Sequence, residues 1–421
     1  MAYTAAEKKR IRQAKAASAN SRTQLKNPVI DGGFDKTDRT LLGYDWILIG
    51  DLVVLLAFGL IMLYSASSYT ALIEEGDAAF YAKKQLFAAA AGLVVMIVVS
   101  FFPPVFWKVV SPLAYLVGAG LIMLTLTSMG IEVNGATRWL KINEYSIQPS
   151  EIMKFAVIIM MAFLLSLLIE SIDRPLVFFG LFIVGIIPAG LVIVITDDLG
   201  TGIIFFGIVC IMFFVCCGKK RYLAVSVVVL ACAAVWFIMS EGYRSKRIYA
   251  WLSIEDYASD EGYQVLQGLY AIASGGIFGK GLGKSTQKLS FVPEAENDMI
   301  FSIICEELGL IGAFVLILLY AVLLWRMVRI FGKTKDTFSK LVVAGVASHI
   351  SVQTIVNMCV VTNLLPNTGV PLPFVSYGGT SMLILLAEIG LVLGVSRRSQ
   401  RQKQPAASAE RGGRRRRPEE K

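Results

Sequence analysis

The sequence is short of most residues that soluble catalytic chemistry draws on. It has one histidine in 421 residues, His349, which excludes the paired-histidine metal sites of hydrolytic zinc enzymes. Its six cysteines, Cys210, Cys216, Cys217, Cys232, Cys305 and Cys359, form no Cys-x-x-Cys pair and all fall inside or at the edges of apolar blocks. A disulfide framework and a zinc site are therefore both unexpected. Charged residues are only 17% of the chain, against roughly 25% in an ordinary soluble domain. The first 40 or so residues lack the short apolar core and small-residue cleavage site of an exported precursor, so the first apolar block is expected to act as its own insertion signal. Internal repeats of the inverted-transporter kind are not visible.

What is present is apolar. Hydrophobic residues make up 56% of the chain, mean hydropathy is +0.65, and the apolar residues come in ten blocks: 46–65, 85–101, 108–127, 155–170, 177–195, 199–217, 222–240, 303–325, 341–362 and 380–396. Most approach the roughly 17–25 residues that cross a hydrocarbon core as a helix. Helices are expected because lipid offers no partner to a free backbone amide. The fold class predicted is thus an all-α integral membrane protein of about ten spans, residues 42–396, between a basic tail 1–41 and a basic tail 397–421. Residues 1–41 hold 9 Lys/Arg and 4 Asp/Glu, and residues 397–421 hold 10 and 3, so the tails account for the whole net charge of +9. With ten spans, both tails and the basic loops at Lys219–Arg221 and Arg326–Lys340 share one side, which the positive-inside rule makes cytoplasmic. Arg414–Arg417 are suited to anionic lipid; without interleaved aromatics or a folded scaffold the tails do not read as nucleic-acid binding.

Three segments on the opposite side are longer than span connections require: 128–154, about 241–300 between spans seven and eight, and 363–379. In the first, Asn134-Gly135 signals a turn, Arg138-Trp139 offers a cation and a ring to phosphate and sugar, and Pro149-Ser150 opens a helix with Glu151 and Lys154 on one face. A helix cap and an interfacial tryptophan explain the same residues. The second segment is rich in aromatics and glycine, with an amphipathic helix expected over 262–275. Its run Gly275–Ser285 resembles a phosphate loop but has Phe278 where the first glycine belongs and no preceding strand. Ser285-Thr286-Gln287-Lys288 lacks the companion motifs of penicillin-binding enzymes. The amides of this glycine run remain a candidate pyrophosphate cradle. Asp298, where the segment enters span eight, is either a partly desolvated base or a helix cap. Glu306 and Glu307 lie deeper and need partners. The third segment, Pro366–Ser381, reads as a bent wall of a cleft. His349 and Glu388 read as buried structural groups.

The motifs Asn134–Leu140, Gln148–Lys154, Asp198-Leu199-Gly200-Thr201, Tyr243-Arg244 with Arg247, Gly262–Lys288, Pro293–Gly309 and Pro371–Ser381 together resemble the SEDS family, which includes FtsW, RodA and SpoVE. The resemblance covers about 42–396 and leans to the FtsW/SpoVE branch. It implies a glycosyltransferase of the bacterial cell membrane, in division or sporulation wall synthesis, that polymerises lipid II on the extracytoplasmic face and releases undecaprenyl pyrophosphate. It implies a class B penicillin-binding transpeptidase as partner, alongside other divisome or elongation proteins. Asp298 matches the family's essential acid, and Arg138, Trp139, Glu151, Lys154, Arg244, Arg247, Lys288, Ser376 and Gly378 match substrate-binding positions. The expected step is removal of the proton from the acceptor's GlcNAc 4-hydroxyl by Asp298, with inversion at the donor's anomeric carbon. Lys154, Arg138 and a divalent cation (magnesium or manganese) are the candidates to offset the pyrophosphate charge, and Lys154 is also expected to hold Asp298 ionised. Two departures stand out: Thr196-Asp197 replaces the usual Gln-Pro, and Glu296-Asn297 replaces the usual His-Thr before the acid. A lipid II flippase, or a scaffold for the transpeptidase, would use the same cationic cleft and tails.

Overall fold

The computed structural model describes residues 43–133, 136–142, 145–239, 242–259 and 262–401. Residues 1–42 and 402–421, and with them Arg414–Arg417, lie outside the described residues, as do Asn134 and Gly135 and the side chains of Tyr243 and Arg244.

Three helices come first: α1 (Trp46–Glu75), α2 (Phe80–Phe101) and α3 (Pro104–Leu124). Then comes a small sheet, β1 (Gly130–Val133), β2 (Ala136–Ile142) and β3 (Tyr145–Ile147). Nine more helices follow: α4 (Pro149–Leu167), α5 (Pro175–Ile195), α6 (Leu199–Cys216), α7 (Lys220–Met239), α8 (Gly242–Leu252), α9 (Tyr263–Gly275), α10 (Ile300–Lys333), α11 (Thr337–Val361) and α12 (Gly379–Arg401). Helix starts follow local chemistry. Pro104, Pro149 and Pro175 sit at first-turn positions where the missing N–H costs nothing. Asp45, Asp198 and Asp336 cap α1, α6 and α11 by accepting from Leu48, Thr201 and Ser339 amides. Gly76, left-handed, ends α1.

Among the described residues nine helices are long and apolar enough to cross a membrane. The expected span 222–240 falls on α7, part of whose side chains lie outside the described residues. The chain is a multi-pass helical membrane protein. Helices α4, α11 and α12 are its centre, with 61%, 72% and 72% of their apolar windows buried, whereas α1, α3 and α10 present Leu116, Leu310 and other large apolar side chains outward. In lipid that outward face is ordinary solvation.

The helical bundle carries one small sheet that the sequence does not announce. Segment 130–147 is an antiparallel meander in the order β1-β2-β3, with Val133 paired to Ala136 and Leu140 paired to both Gly130 and Ile147. The strands are short and their alternation is interrupted by a bulge at Ile131/Glu132, so no clear period-2 pattern marks them.

The two ends of the bundle differ. At one end Asp45 pairs with Arg326 at 2.6 Å, Tyr44 meets Ser100, Arg398 donates to the Phe102 carbonyl and Ser399 donates to the Lys333 carbonyl. The basic residues flanking α10 and α12 gather there. At the other end, about 30 Å along α1, Ser65 donates to Glu307, and the long connections pack over the helices.

Helix α10 is broken at Gly309 (φ 67°, ψ −163°), a left-handed backbone that only glycine adopts at no cost. The glycine run expected as a phosphate loop instead staples this break. Lys280 and Gly281 amides donate to the Glu306 and Glu307 carbonyls, and Leu310 and Ile311 amides donate to Gly276 and Ile277 carbonyls. The Glu306 carboxylate takes Lys280 at 2.6 Å, the Thr286 and Gln287 amides, and the Ser285 hydroxyl. The Glu307 carboxylate takes Lys288 at 2.8 Å, Ser65 and the Ser285 amide. These amides and cations are committed to two buried acids, so the pyrophosphate cradle is corrected to an intramolecular clamp. Gly279 (φ 75°) lies against the Glu307 backbone, where a Cβ would collide with the carbonyl. Gly279→Ala is therefore expected to abolish recovery of monodisperse protein from membranes, measured by size-exclusion profile in detergent; wild-type recovery would contradict the clamp.

Candidate active site

Asp298 lies one residue before the α10 cap, Met299, and no side chain caps that helix, so the helix-cap reading of this acid is removed. Its carboxylate accepts from Gln264 Nε2 at 3.0 Å, from the first turn of α9. Gln264 in turn accepts from Asn367 at 2.7 Å. The backbone carbonyl of Asp298 takes Asn357 Nδ2 at 2.7 Å, and the same amide holds the Val370 carbonyl. Gly369 faces the second carboxylate oxygen, with nothing but that oxygen near its open side. Three segments thus converge on one acid: α9, the C-terminal end of α11, and the 363–378 segment.

Burial pushes the Asp298 carboxyl up to about 7, and the negative charges of Glu294 and Glu296 push in the same direction. Glu296 is itself raised, first by burial. A half-buried carboxyl titrating near neutrality is suited to take a proton and return it.

The wall beside Asp298 is fixed from α2 and from the turn before α10. Ser376 donates to the Asn297 carbonyl at 2.5 Å and accepts from the Leu372 amide. Gln85, buried in α2, donates to the Ser376 carbonyl and accepts from the Gly378 amide. The Tyr377 amide reaches the Glu296 carbonyl. Ser376 and Gly378 therefore hold the turns that carry Asp298. Irregular backbone with Leu372, Phe374 and Val375 fully buried is the bent wall the sequence predicts.

Lys154 and Glu151 pair at 2.7 Å at the mouth of α4, each no more than 2% exposed. Lys154 also donates to Gln353 at 2.9 Å, and Gln353 donates to the Pro371 carbonyl. Behind them His349 bridges Gln353 and Glu388, so both buried groups have partners as expected. The contact expected between Lys154 and Asp298 is absent: Lys154 is bonded to Glu151 and Gln353, and it is not among the charges that perturb Asp298.

Arg138 and Trp139 are adjacent on β2, so their side chains leave opposite faces of the strand and do not act as one cation–ring unit. Arg138 turns to the α5–α6 connection and donates to the Thr196 and Asp197 carbonyls. That connection meets the Asp298 wall, because Gly200 is pressed against Thr368 and Val370. Thr196-Asp197 thus serves as the receptor of Arg138, with Asp197 at φ 47°. Trp139 is half-buried and pairs with Ile131 across the hairpin. Lys288 is buried and committed to Glu307 and Ser65. Arg247 on α8 lines a cavity that Gln264 also borders; Arg244 is on the same helix, its side chain outside the described residues.

The residues that sequence reasoning misses are Gln85, Gln264, Gln353, Asn357 and Asn367, all amides. One signal existed: Gln85, Gln353 and Asn357 are uncharged polar groups inside apolar helices, where such groups need a partner, and the latter two are four apart on one face. Among the described residues no three His, Cys, Asp or Glu gather as metal ligands.

The family model described as "Cell cycle protein", covering FtsW, RodA and SpoVE, matches residues 46–401. Stage V sporulation protein E of Bacillus subtilis is 38% identical over 359 residues, 84% of this chain and 97% of that protein. A probable peptidoglycan glycosyltransferase FtsW of Trichlorobacter lovleyi is 35% identical over 364 residues, 85% of this chain and 94% of that one. Among solved structures, a chain from a peptidoglycan synthase complex described as coordinating polymerization and crosslinking superposes with a TM-score of 0.71 at 26% identity, over 85% of this chain and 99% of its own. The rod shape determining protein RodA of Thermus thermophilus superposes at 0.61 with 25% identity, over 85% and 98%. With its membrane bundle matched from first helix to last, the chain belongs to the FtsW/RodA/SpoVE family.

Proposed function

We propose that this chain is a peptidoglycan glycosyltransferase that polymerises lipid II, with Asp298 as its general base. The observation that carries the reading is a carboxyl near pKa 7 that accepts from Gln264, on a residue whose backbone carbonyl is held by Asn357, at the end of the bundle away from the basic loops. The Asp298 carboxylate takes the proton of the acceptor's GlcNAc 4-hydroxyl. That oxygen bonds to the anomeric carbon of the donor's MurNAc as the bond to undecaprenyl pyrophosphate breaks, with inversion. Arg138, held on the α5–α6 connection that packs on this wall, and Lys154, linked to the wall through Gln353 and the Pro371 carbonyl, are assigned to the pyrophosphate. The positive-inside rule supports cytoplasmic termini and an extracytoplasmic Asp298, since Arg326, Lys333, Arg397 and Arg398 lie at the opposite end. The partner proposed is a class B penicillin-binding transpeptidase, a reading supported by the likeness to a synthase complex.

The test is glycan-chain formation from labelled lipid II by the purified protein, with and without that transpeptidase. Polymer supports the reading. Movement of lipid II across liposomes without polymer in either condition replaces it with a flippase. The rate carries its own signature. A base must be ionised, so polymerisation is expected to rise with pH through about 7 and level off above it. A profile flat from pH 5.5 to 8.5 would remove Asp298 as the titrating group.

A further inference from the structure

A cavity of about 220 Å³ lies beside the catalytic wall. Three segments that are distant in sequence form it: α8 and the turn after it, the first turn of α9, and the start of the 363–378 segment. Its apolar side is Ala250, Trp251 and Ile254, and its floor includes Gln264 and Asn367. The Trp251 ring is fixed in place, because its Nε1 donates to the Asn363 carbonyl at 3.0 Å. The Asn363 carboxamide borders the cavity and makes no hydrogen bond among the described residues. Gln264 borders the cavity and at the same time donates to Asp298.

We propose that this cavity is a sugar subsite for one N-acetylhexosamine ring of the glycan, the ring adjoining the one whose hydroxyl Asp298 deprotonates. Three features select this ligand. The cavity is smaller than the roughly 300–1,000 Å³ that hold drug-sized ligands, which suits one pyranose and not a lipid chain. A fixed indole wall opposite carboxamides matches a ring with C–H faces and polar edges; indole combines an apolar body with a pinned polar edge. An uncommitted carboxamide, as at Asn363, pairs with an acetamido group through one donor and one acceptor. Gln264 borders the cavity and donates to the Asp298 carboxylate, while Asp298 itself does not line the cavity, so a ring here is a neighbour of the reacting ring and not the reacting ring itself. The inference rests on the glycosyltransferase reading for the identity of the glycan, but binding in the cavity is measurable without catalysis.

The probe is triacetylchitotriose, titrated into purified protein in nanodiscs and followed by ligand-observed NMR. Wild type and Asp298→Ala are expected to bind it equally. Ala250→Leu, which fills the cavity, and Asn363→Gly, which keeps the left-handed backbone (φ 58°) while deleting the carboxamide, are expected to weaken binding by about tenfold. In polymerisation assays the same two variants are expected to raise KM for lipid II with kcat nearly unchanged, the signature of lost uniform binding. Unaltered chitotriose affinity in both variants, with each monodisperse by size exclusion, overturns the subsite. If wild type binds chitotriose through this cavity yet forms no polymer even with the transpeptidase, the subsite stands and the glycosyltransferase reading fails.

Discussion

Asp298→Asn is expected to lower lipid II polymerisation by about 10²- to 10⁴-fold, the usual contribution of a positioned base, while leaving the protein folded. The amide replaces one carboxylate oxygen with a donor and keeps the shape, so Gln264 and Asn357 retain a partner on the acid's side chain and backbone. Stability moves the other way. The folded-state pKa is raised to about 7, so folding favours the protonated carboxyl. That contribution is complete below about pH 4, the unfolded value, and is lost as pH rises through about 7. The asparagine variant, neutral throughout, is therefore expected to melt above the wild type at pH 8 and together with it below pH 4. Melting curves of both proteins at the two pH values check this. Polymerisation by Asp298→Asn at wild-type rate would remove Asp298 as base. Equal melting at pH 8 would instead show that its carboxylate is not strained by burial.

The architecture was legible because lipid enforces it. Every apolar block of spanning length had to satisfy its own amides, and basic loops fixed which connections share a side. Asp298 was legible as a carboxylate at a membrane boundary, and Glu306 and Glu307 were legible as acids in need of partners. Lys288 and the glycine run were not, because their chemistry is ambiguous in one dimension. Cations and amides that would suit a pyrophosphate suit two buried carboxylates equally well, and only the fold shows that Glu306 and Glu307 arrive there first. The reading of Arg138 and Trp139 as one cation–ring unit failed for a related reason: adjacency reads as cooperation until the residues lie on a strand, which sends neighbours to opposite faces. The amides around Asp298 were invisible for want of charge, although Gln353 and Asn357 sit one turn apart in a helix where an unpartnered polar group is costly. Local signals report what a residue can do. Which partner it takes is a property of segments that meet from far apart in sequence, as Gln264, Asn357 and Asn367 do.

Lys154→Met is expected to destabilise the protein by about 3–5 kcal/mol, the cost of leaving one member of a buried pair uncompensated. Lys154 neutralises Glu151 at 2.7 Å, and both are essentially without solvent. One Glu151 oxygen, Oε2, already lacks a hydrogen-bond partner, so removing the ammonium strands the whole carboxylate in an apolar helix bundle. Loss of the ammonium also frees Gln353, which then holds only His349 and the Pro371 carbonyl. The compensating change is Glu151→Leu. Replacing both charges with apolar groups of similar volume removes the stranded carboxylate, and such replacements of buried pairs are often neutral. The double variant is expected to recover most of the lost stability, read by thermal unfolding of the four proteins of the cycle in one detergent. If the double variant is no more stable than Lys154→Met, the pair is not the source of the loss. The same four proteins separate structure from chemistry. A double variant that folds as wild type but polymerises lipid II at least about tenfold more slowly places the pair on the substrate's pyrophosphate, since a charge offset that acts in the transition state contributes rate on this scale or larger. A double variant that folds and polymerises normally confines Glu151 and Lys154 to holding α4 against α11.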